Sequence, residues 1–183
     1  MCKHKPDDRE RLKWQNPENI LSELGVKPGV KFVDAGCGRG FFALPAARMT
    51  DPGGRVWGFD INPDAIQYLK QTAIGEGLSN IELSTGKAEE TIICQKCADI
   101  VFYGIVLHDF AEPLKALANA RKMLKPGGRL VNLDWKKEPM VYGPSTEKRL
   151  GVKEAADIIQ SAGFRIETIG EKGPYHYLIT ALP

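Results

Sequence analysis

From Pro17 onward the chain alternates, almost without a break, between two hydrophobic periods, and this alternation restricts its fold more than any other feature. Residues 17–25, PENILSELG, have the spacing of a short helix, with Pro17 in the first turn and Gly25 as its stop. VKFVDAG at 30–36 follows as a buried strand. The pattern then predicts a helix over 40–49, a strand over GRVWGFD, a helix from Asn62 as N-cap with Pro63 behind it, and a strand over NIELSTG. ADIVFYGIV, apolar throughout, reads as a strand covered on both faces and is followed by a helix from about Glu112 to Leu124. KPGG is a turn into the strand RLVNLDW, and a last helix, VKEAADIIQSAG, leads to two strands joined by EKGP. Repeated alternation of this kind builds an α/β fold, a largely parallel sheet with helices on both faces, while the closing strand pair must be antiparallel. In such sheets ligands bind beyond the carboxyl ends of the strands.

A chain of 183 residues with 43% hydrophobic and 26% charged residues fits one domain, assigned to 17–183, preceded by an unpatterned polar arm over 1–16. That arm is read as disordered or as a lid over a site. The net charge of +2, with Lys and Arg interleaved among acids, gives no signal for nucleic acid. No apolar run approaches the ~18 to 20 residues of a membrane span, and MCKHKPDDRE lacks the hydrophobic segment of a signal peptide. A cytoplasmic protein without membrane contact is expected, in which Cys2, Cys37, Cys94 and Cys97 are free thiols.

Directly after the first strand stands FVDAGCGRGFF. Glycines at 36, 38 and 40 let backbone amides approach a ligand where side chains would collide, and the helix behind them offers unpaired N–H groups. The dinucleotide pattern G-x-G-x-x-G needs glycine at 41, where this chain has Phe41, so a pyrophosphate is not the expected guest. Asp34 at the strand end would repel a pyrophosphate and attract a cationic amine or sulfonium. Asp60 closes the second strand, placed to accept hydrogen bonds from both hydroxyls of a ribose. A nucleoside joined to a positive charge describes S-adenosylmethionine.

With VDAGCGRG, GFDINP, ADIVFYGIVLHDF and LKPGGRL in this order, the sequence over residues 17–181 resembles the class I S-adenosylmethionine-dependent methyltransferases. It is most similar to the small stand-alone groups of ubiquinone and menaquinone biosynthesis and of generic small-molecule methylation. The resemblance implies a Rossmann-like doubly wound sheet of seven strands, order 3-2-1-4-5-7-6, with strand 7 antiparallel. It implies that Asp34 and the backbone of Gly36, Gly38 and Gly40 line the methionine end of the cofactor, that Asp60 holds the ribose and that Ile61 packs on the adenine. An acidic residue commonly reads the adenine edge after the third strand; Lys87 stands there in GKAEE, and the Ala88 backbone and Glu89 side chain take the assignment instead. Residues from Tyr103 to Leu107 face the amino-acid end of the cofactor, and His108 is the candidate general base, needed only if the acceptor must lose a proton. The expected partner is a small-molecule acceptor in preference to a macromolecule, and a homodimer closing an open cleft is compatible with so short a chain.

Other readings stay open. A non-catalytic domain that binds S-adenosylmethionine would carry the same motifs; a nicotinamide-dependent oxidoreductase is opposed by Phe41, and an aminopropyltransferase has Asp109 alone after the fourth strand to hold a polyamine. Cys94 and Cys97 supply half of a zinc tetrahedron that Cys2 and His4 would have to complete, but the two pairs fall at opposite ends of the sheet, so no metal is expected. Trp14 is either a lid residue or an anchor on the core. DWKKE leads into PMVYGPSTEKR, a connector that could reach the substrate through Lys136, Lys137 or Tyr142.

Overall fold

The computed structural model describes residues 8–183. A seven-stranded sheet is formed by β1 (Lys31–Ala35), β2 (Arg55–Asp60), β3 (Ile81–Thr85), β4 (Ala98–Gly104), β5 (Leu124–Trp135), β6 (Arg165–Lys172) and β7 (His176–Leu182), in the order β3-β2-β1-β4-β5-β7-β6. Strands β1 to β5 pair in parallel, and β7 runs antiparallel to both β5 and β6. The order and the reversed seventh strand are those expected. Crossovers are made by α3 (Ala43–Thr50), α4 (Pro63–Gly75), α5 (Pro113–Met123) and α6 (Val152–Ser161), with α1 (Asp8–Leu12) and α2 (Pro17–Glu23) ahead of the sheet.

Because strand side chains alternate between faces, β1 feeds two cores. Phe32 packs with Leu21, Ala46 and Leu69 under α2, α3 and α4, whereas Val33 and Ala35 join Leu117, Ala120 and Ile159 under α5 and α6. Asp34 therefore lies on the Phe32 face, opposite Gly58 of β2. A Cβ at Gly58 would stand 3.1 Å from Cys37 Sγ and 2.8 Å from Leu83 Cδ2, so the missing side chain makes room for the loop after β1.

Local chemistry sets the boundaries. Asn62 caps α4, its side chain accepting from the amides of Asp64 and Ala65. The third helix starts at Ala43, three residues later than the pattern predicts, because Gly40 sits at φ 94 and belongs to the loop. KPGG does not precede β5 but lies inside it: the register with β4 jumps from Ala98↔Leu124 to Ile100↔Arg129, so the turn is an excursion within one strand.

One expectation is corrected. Cys94 and Cys97 are joined in a disulfide, and Cys37 is the free cysteine among the described residues. Lys96, at φ 48, turns the C-x-x-C segment so that the two Cα atoms come within 5.9 Å, a bridging distance. The pair lies before β4, at the amino end of the strands. Cys2 and His4 fall outside the described residues, among which no group of three or more His, Cys, Asp or Glu is placed to hold a metal ion. Among the same residues no helix is long and apolar enough to cross a membrane.

Candidate active site

The loop after β1 is folded by its glycines. Gly36, Gly38 and Gly40 all have positive φ, at 76, 52 and 94. A Cβ on Gly36 would stand 2.5 Å from Val106 Cγ2, and one on Gly40 would strike Leu69, but one on Gly38 would meet nothing within 4 Å. Two of the glycines thus permit packing, and the third borders open space. Asp60 clamps this loop: its Oδ2 accepts from the Gly38 amide at 2.9 Å and its Oδ1 from the Asn62 amide at 2.8 Å. Ile61 beside it is 64% exposed, an apolar side chain without a protein surface to cover it.

Asp34 is 2% exposed, and its Oδ2 has no hydrogen-bond partner. Burial, and then the repulsion of Asp60, lift its carboxyl from 3.8 to about 7, with Arg11 opposing them. A buried carboxylate oxygen without a donor is costly unless something absent from the chain satisfies it.

The segment after β4 reaches the same loop through Val106. Ile105 stands at φ 64, a conformation that a β-branched residue adopts only when its surroundings enforce it, and its amide donates to Leu133 O at 2.7 Å. The bend delivers Val106 against Gly36 and His108 against β5. There His108 Nδ1 lies 2.7 Å from Asp134 Oδ1, with the two side chains 4% and 1% exposed. Asp134 accepts two further bonds, from the His108 amide at 3.3 Å and the Trp135 amide at 2.8 Å. Burial disfavours charge on the His108 ring, yet the hydrogen bond and charge of Asp134, with the charge of Asp109, raise its pKa above the ordinary value against Arg149.

Three expected cofactor contacts have other commitments. Ala88 O accepts from Asn119 Nδ2 at 3.0 Å, and Glu89 Oε1 accepts from the amides of Ala111 and Glu112, just ahead of α5. Tyr103 is 1% exposed, with its hydroxyl donating to Ala116 O at 2.7 Å and its ring edge-on to Phe110. What Tyr103 retains for a ligand is backbone at the strand end.

The described part of the arm, residues 8–16, packs at this edge of the sheet. The Arg11 guanidinium lies 3.7 Å above the Phe41 ring, its Nε donates to Gln15 Oε1, and its charge acts on both Asp34 and His176. Trp14 stacks on His176 and on Tyr142 and packs against Trp135 and Tyr175. Trp14 is thus anchored, in an aromatic cluster at the ends of β5 and β7. Tyr142 donates to Glu10, while Lys136 and Lys137 pair with Glu171 and Glu154. Buried Arg149 binds the connector together by donating to the carbonyls of Lys136, Glu138, Tyr142 and Pro144.

Sequence reasoning missed Asp134, Arg11, Arg149 and His176. Asp134 carried a readable signal, for it stands next to last in a parallel strand as Asp34 does, while Asp60 ends one. Arg11 carried none in an unpatterned arm.

The methyltransferase domain family matches residues 26–163 of this chain. A demethylmenaquinone methyltransferase of Geobacillus kaustophilus is 27% identical over 135 residues, covering 74% of this chain and 56% of its own. A SAM-dependent methyltransferase from Aquifex aeolicus, known from its crystal structure, is 30% identical with a TM-score of 0.91, over 96% of this chain and 93% of its own. The [4+2]-cyclase SpnF shares the fold at a TM-score of 0.80 and 18% identity, over 98% of this chain and 85% of its own. The chain spans about half the length of the curated relatives it matches. It belongs to the methyltransferase domain family, in the class I S-adenosylmethionine-dependent branch.

S-adenosylmethionine is the methyl donor of that branch, and the residues present fit it. The unsatisfied Asp34 oxygen suits a cationic group, the open space at Gly38 suits a close approach, and Asp60 retains acceptor capacity for hydroxyls.

Proposed function

We propose that this chain transfers a methyl group from S-adenosylmethionine to a small-molecule acceptor at the carboxyl edge of β1, β2, β4 and β5. The observation that carries the reading is the buried Asp34 carboxylate, left with one oxygen unpaired beside a loop whose Gly38 borders empty space. In this assignment Asp34 and the backbone of Gly36, Gly38 and Gly40 hold the methionine end, Asp60 the ribose and Ile61 the adenine face. The backbone at Ala88 and Tyr103 completes the cradle, and Glu89 contributes by fixing the start of α5. Bound there, the donor supplies an electrophilic methyl group on a sulfonium. The protein aligns the acceptor, excludes water with the arm and the aromatic cluster around Trp14, and takes up a proton at His108 Nε2. A roof contributed by the chain's own arm favours a small acceptor over a macromolecule, and the methyl acceptor named for the Geobacillus relative is of that kind.

Isothermal titration tests the reading. S-adenosylhomocysteine is expected to bind with micromolar affinity and NADH not at all, and Asp60→Ala should weaken the first. Tight NADH binding, or binding of neither ligand, overturns it.

A further inference from the structure

We propose that Asp134 is the positioning residue that makes His108 a general base at Nε2, and that the acceptor's reacting atom is therefore a hydroxyl oxygen or the carbon of a carbon acid, not an amine nitrogen or a thiol sulfur. This rests on the methyltransferase reading of the carboxyl edge.

The geometry fixes which nitrogen is free. Asp134 holds two oxygens against one ring and its own backbone: Oδ1 lies 2.7 Å from Nδ1 and also accepts from the Trp135 amide, while Oδ2 accepts from the His108 amide. A carboxylate held by three donors has no freedom to release the ring. An acceptor opposite Nδ1 places the neutral imidazole's proton there and leaves the lone pair on Nε2. Asp109 Oδ2, another acceptor, lies 3.5 Å from Nε2 on a side chain that is 68% exposed. Nε2 thus has an acceptor beside it, and once protonated it faces a carboxylate that leads to water. The charged groups around the ring are Asp134 from β5, Asp109 from its own segment and Arg149 from the connector; the two acids prevail over Arg149 and over burial.

The site also keeps the ring where a base is useful. The strained Ile105 and the contact of Val106 with Gly36 join the segment carrying His108 directly to the glycine loop. Strain of this kind is retained where the surrounding structure enforces a position.

Chemistry then selects the acceptor. An ammonium group gives up its proton to solvent before it enters an apolar site and then attacks with the lone pair so freed, and a thiol with a pKa of about 8.5 ionises in part without help. A hydroxyl or a carbon acid must shed its proton as it attacks. Its O–H or C–H bond breaks, the proton passes to Nε2, and the electron pair left behind forms the bond to the methyl carbon as that carbon's former bonding pair departs with sulfur. The imidazolium that results is balanced by Asp134, so no net positive charge is created beside the sulfonium site.

Nitrogen-15 NMR of the histidine side chains in the ligand-free full chain, titrated from about pH 5 to 9, reads the claim without turnover. His108→Gln assigns the signal. The wild type should show the Nδ1–H tautomer and a pKa above the ordinary imidazole value; the Nε2–H tautomer overturns the proposal. Asp134→Asn should lower that pKa and shift the tautomer while leaving S-adenosylhomocysteine affinity unchanged, and Asp134→Glu should restore part of both. An unmoved tautomer and pKa in Asp134→Asn overturns the positioning role. With 2-phenylethanol, 2-mercaptoethanol and phenethylamine as acceptors, methylation of the alcohol should lose kcat about a hundredfold in Asp134→Asn with KM little changed. Transfer to the thiol or amine that Asp134→Asn does not slow overturns the acceptor class. Failure of the wild type to bind S-adenosylhomocysteine would instead sink the methyltransferase reading, which the NMR result does not touch.

Discussion

Gly38 donates its backbone N–H to Asp60 Oδ2 at 2.9 Å, so the loop leaving β1 is tied to the end of β2 by the carboxylate assigned to the ribose. Removing that side chain subtracts two things at once, the ribose partner and the clamp on the loop. Asp60→Ala should weaken S-adenosylhomocysteine binding at least tenfold, about 1.4 kcal/mol, by isothermal titration. An unchanged affinity would take Asp60 out of the site.

Asp34 makes cofactor affinity depend on pH. With its carboxyl at about 7, half of the free protein carries a proton there near neutrality, and a cationic ligand favours the ionised form. Affinity for S-adenosylmethionine should rise between about pH 6 and 7 by up to tenfold per unit and level off above that, with a proton released on binding. Titration in buffers of different ionisation enthalpy measures the proton, and Asp34→Asn should flatten the profile. In the free protein the sign is opposite for stability: the folded state holds this proton more tightly than the unfolded state, whose value is near 3.8, so the contribution is present at acid pH and lost as pH rises through about 7.

Three glycines in one loop should respond differently to alanine. Gly38→Ala meets open space and only the left-handed backbone penalty, about 1 kcal/mol, yet puts a methyl group where the ligand would approach. Gly36→Ala must displace Val106 and Gly40→Ala must displace Leu69, which adds roughly 1–3 kcal/mol of overpacking. Thermal unfolding should rank Gly38→Ala mildest, while S-adenosylhomocysteine titration should show it strongly impaired. A Gly38→Ala protein that binds normally would separate the loop from the ligand.

Arg149 is 1% exposed and spends its guanidinium on backbone carbonyls. Lysine cannot span four carbonyls with one ammonium. Arg149→Lys should therefore lower unfolding stability by about 2–4 kcal/mol in urea, with the cradle's ligand affinity retained. A loss below about 0.5 kcal/mol would mean that the connector holds together without it.

The fold was legible because each strand announced its period and each helix its ends, as with Asn62 before α4 and Gly25 after α2. The glycine loop and the strand-end acids beside it were legible too, since both are local features. What escaped is non-local. Tyr103 and Glu89 sit at the expected positions, but their side chains turn to α5, and no spacing in the sequence reveals which face a strand-end residue will choose. His108 and His176 look alike as letters. The first meets Asp134, whereas the second is buried among Arg11, Arg149 and Lys136 and is held down at about 3, unable to take a proton near neutrality. The Cys94–Cys97 link depended on the turn at Lys96, which composition does not encode.

Trp14 stacks on His176, so a residue made early in synthesis has its partner among those made late. The glycine loop and Asp60 leave the ribosome well before the Trp14 ring has any of its four aromatic partners to rest on. The berth is therefore assembled in stages, Trp135 and Tyr142 first, then Tyr175, and His176 of β7 after them. Packing between residues 8–16 and the sheet is thus finished only when His176 is in place, so the first described segment waits on the last strand of the chain for its closing contact.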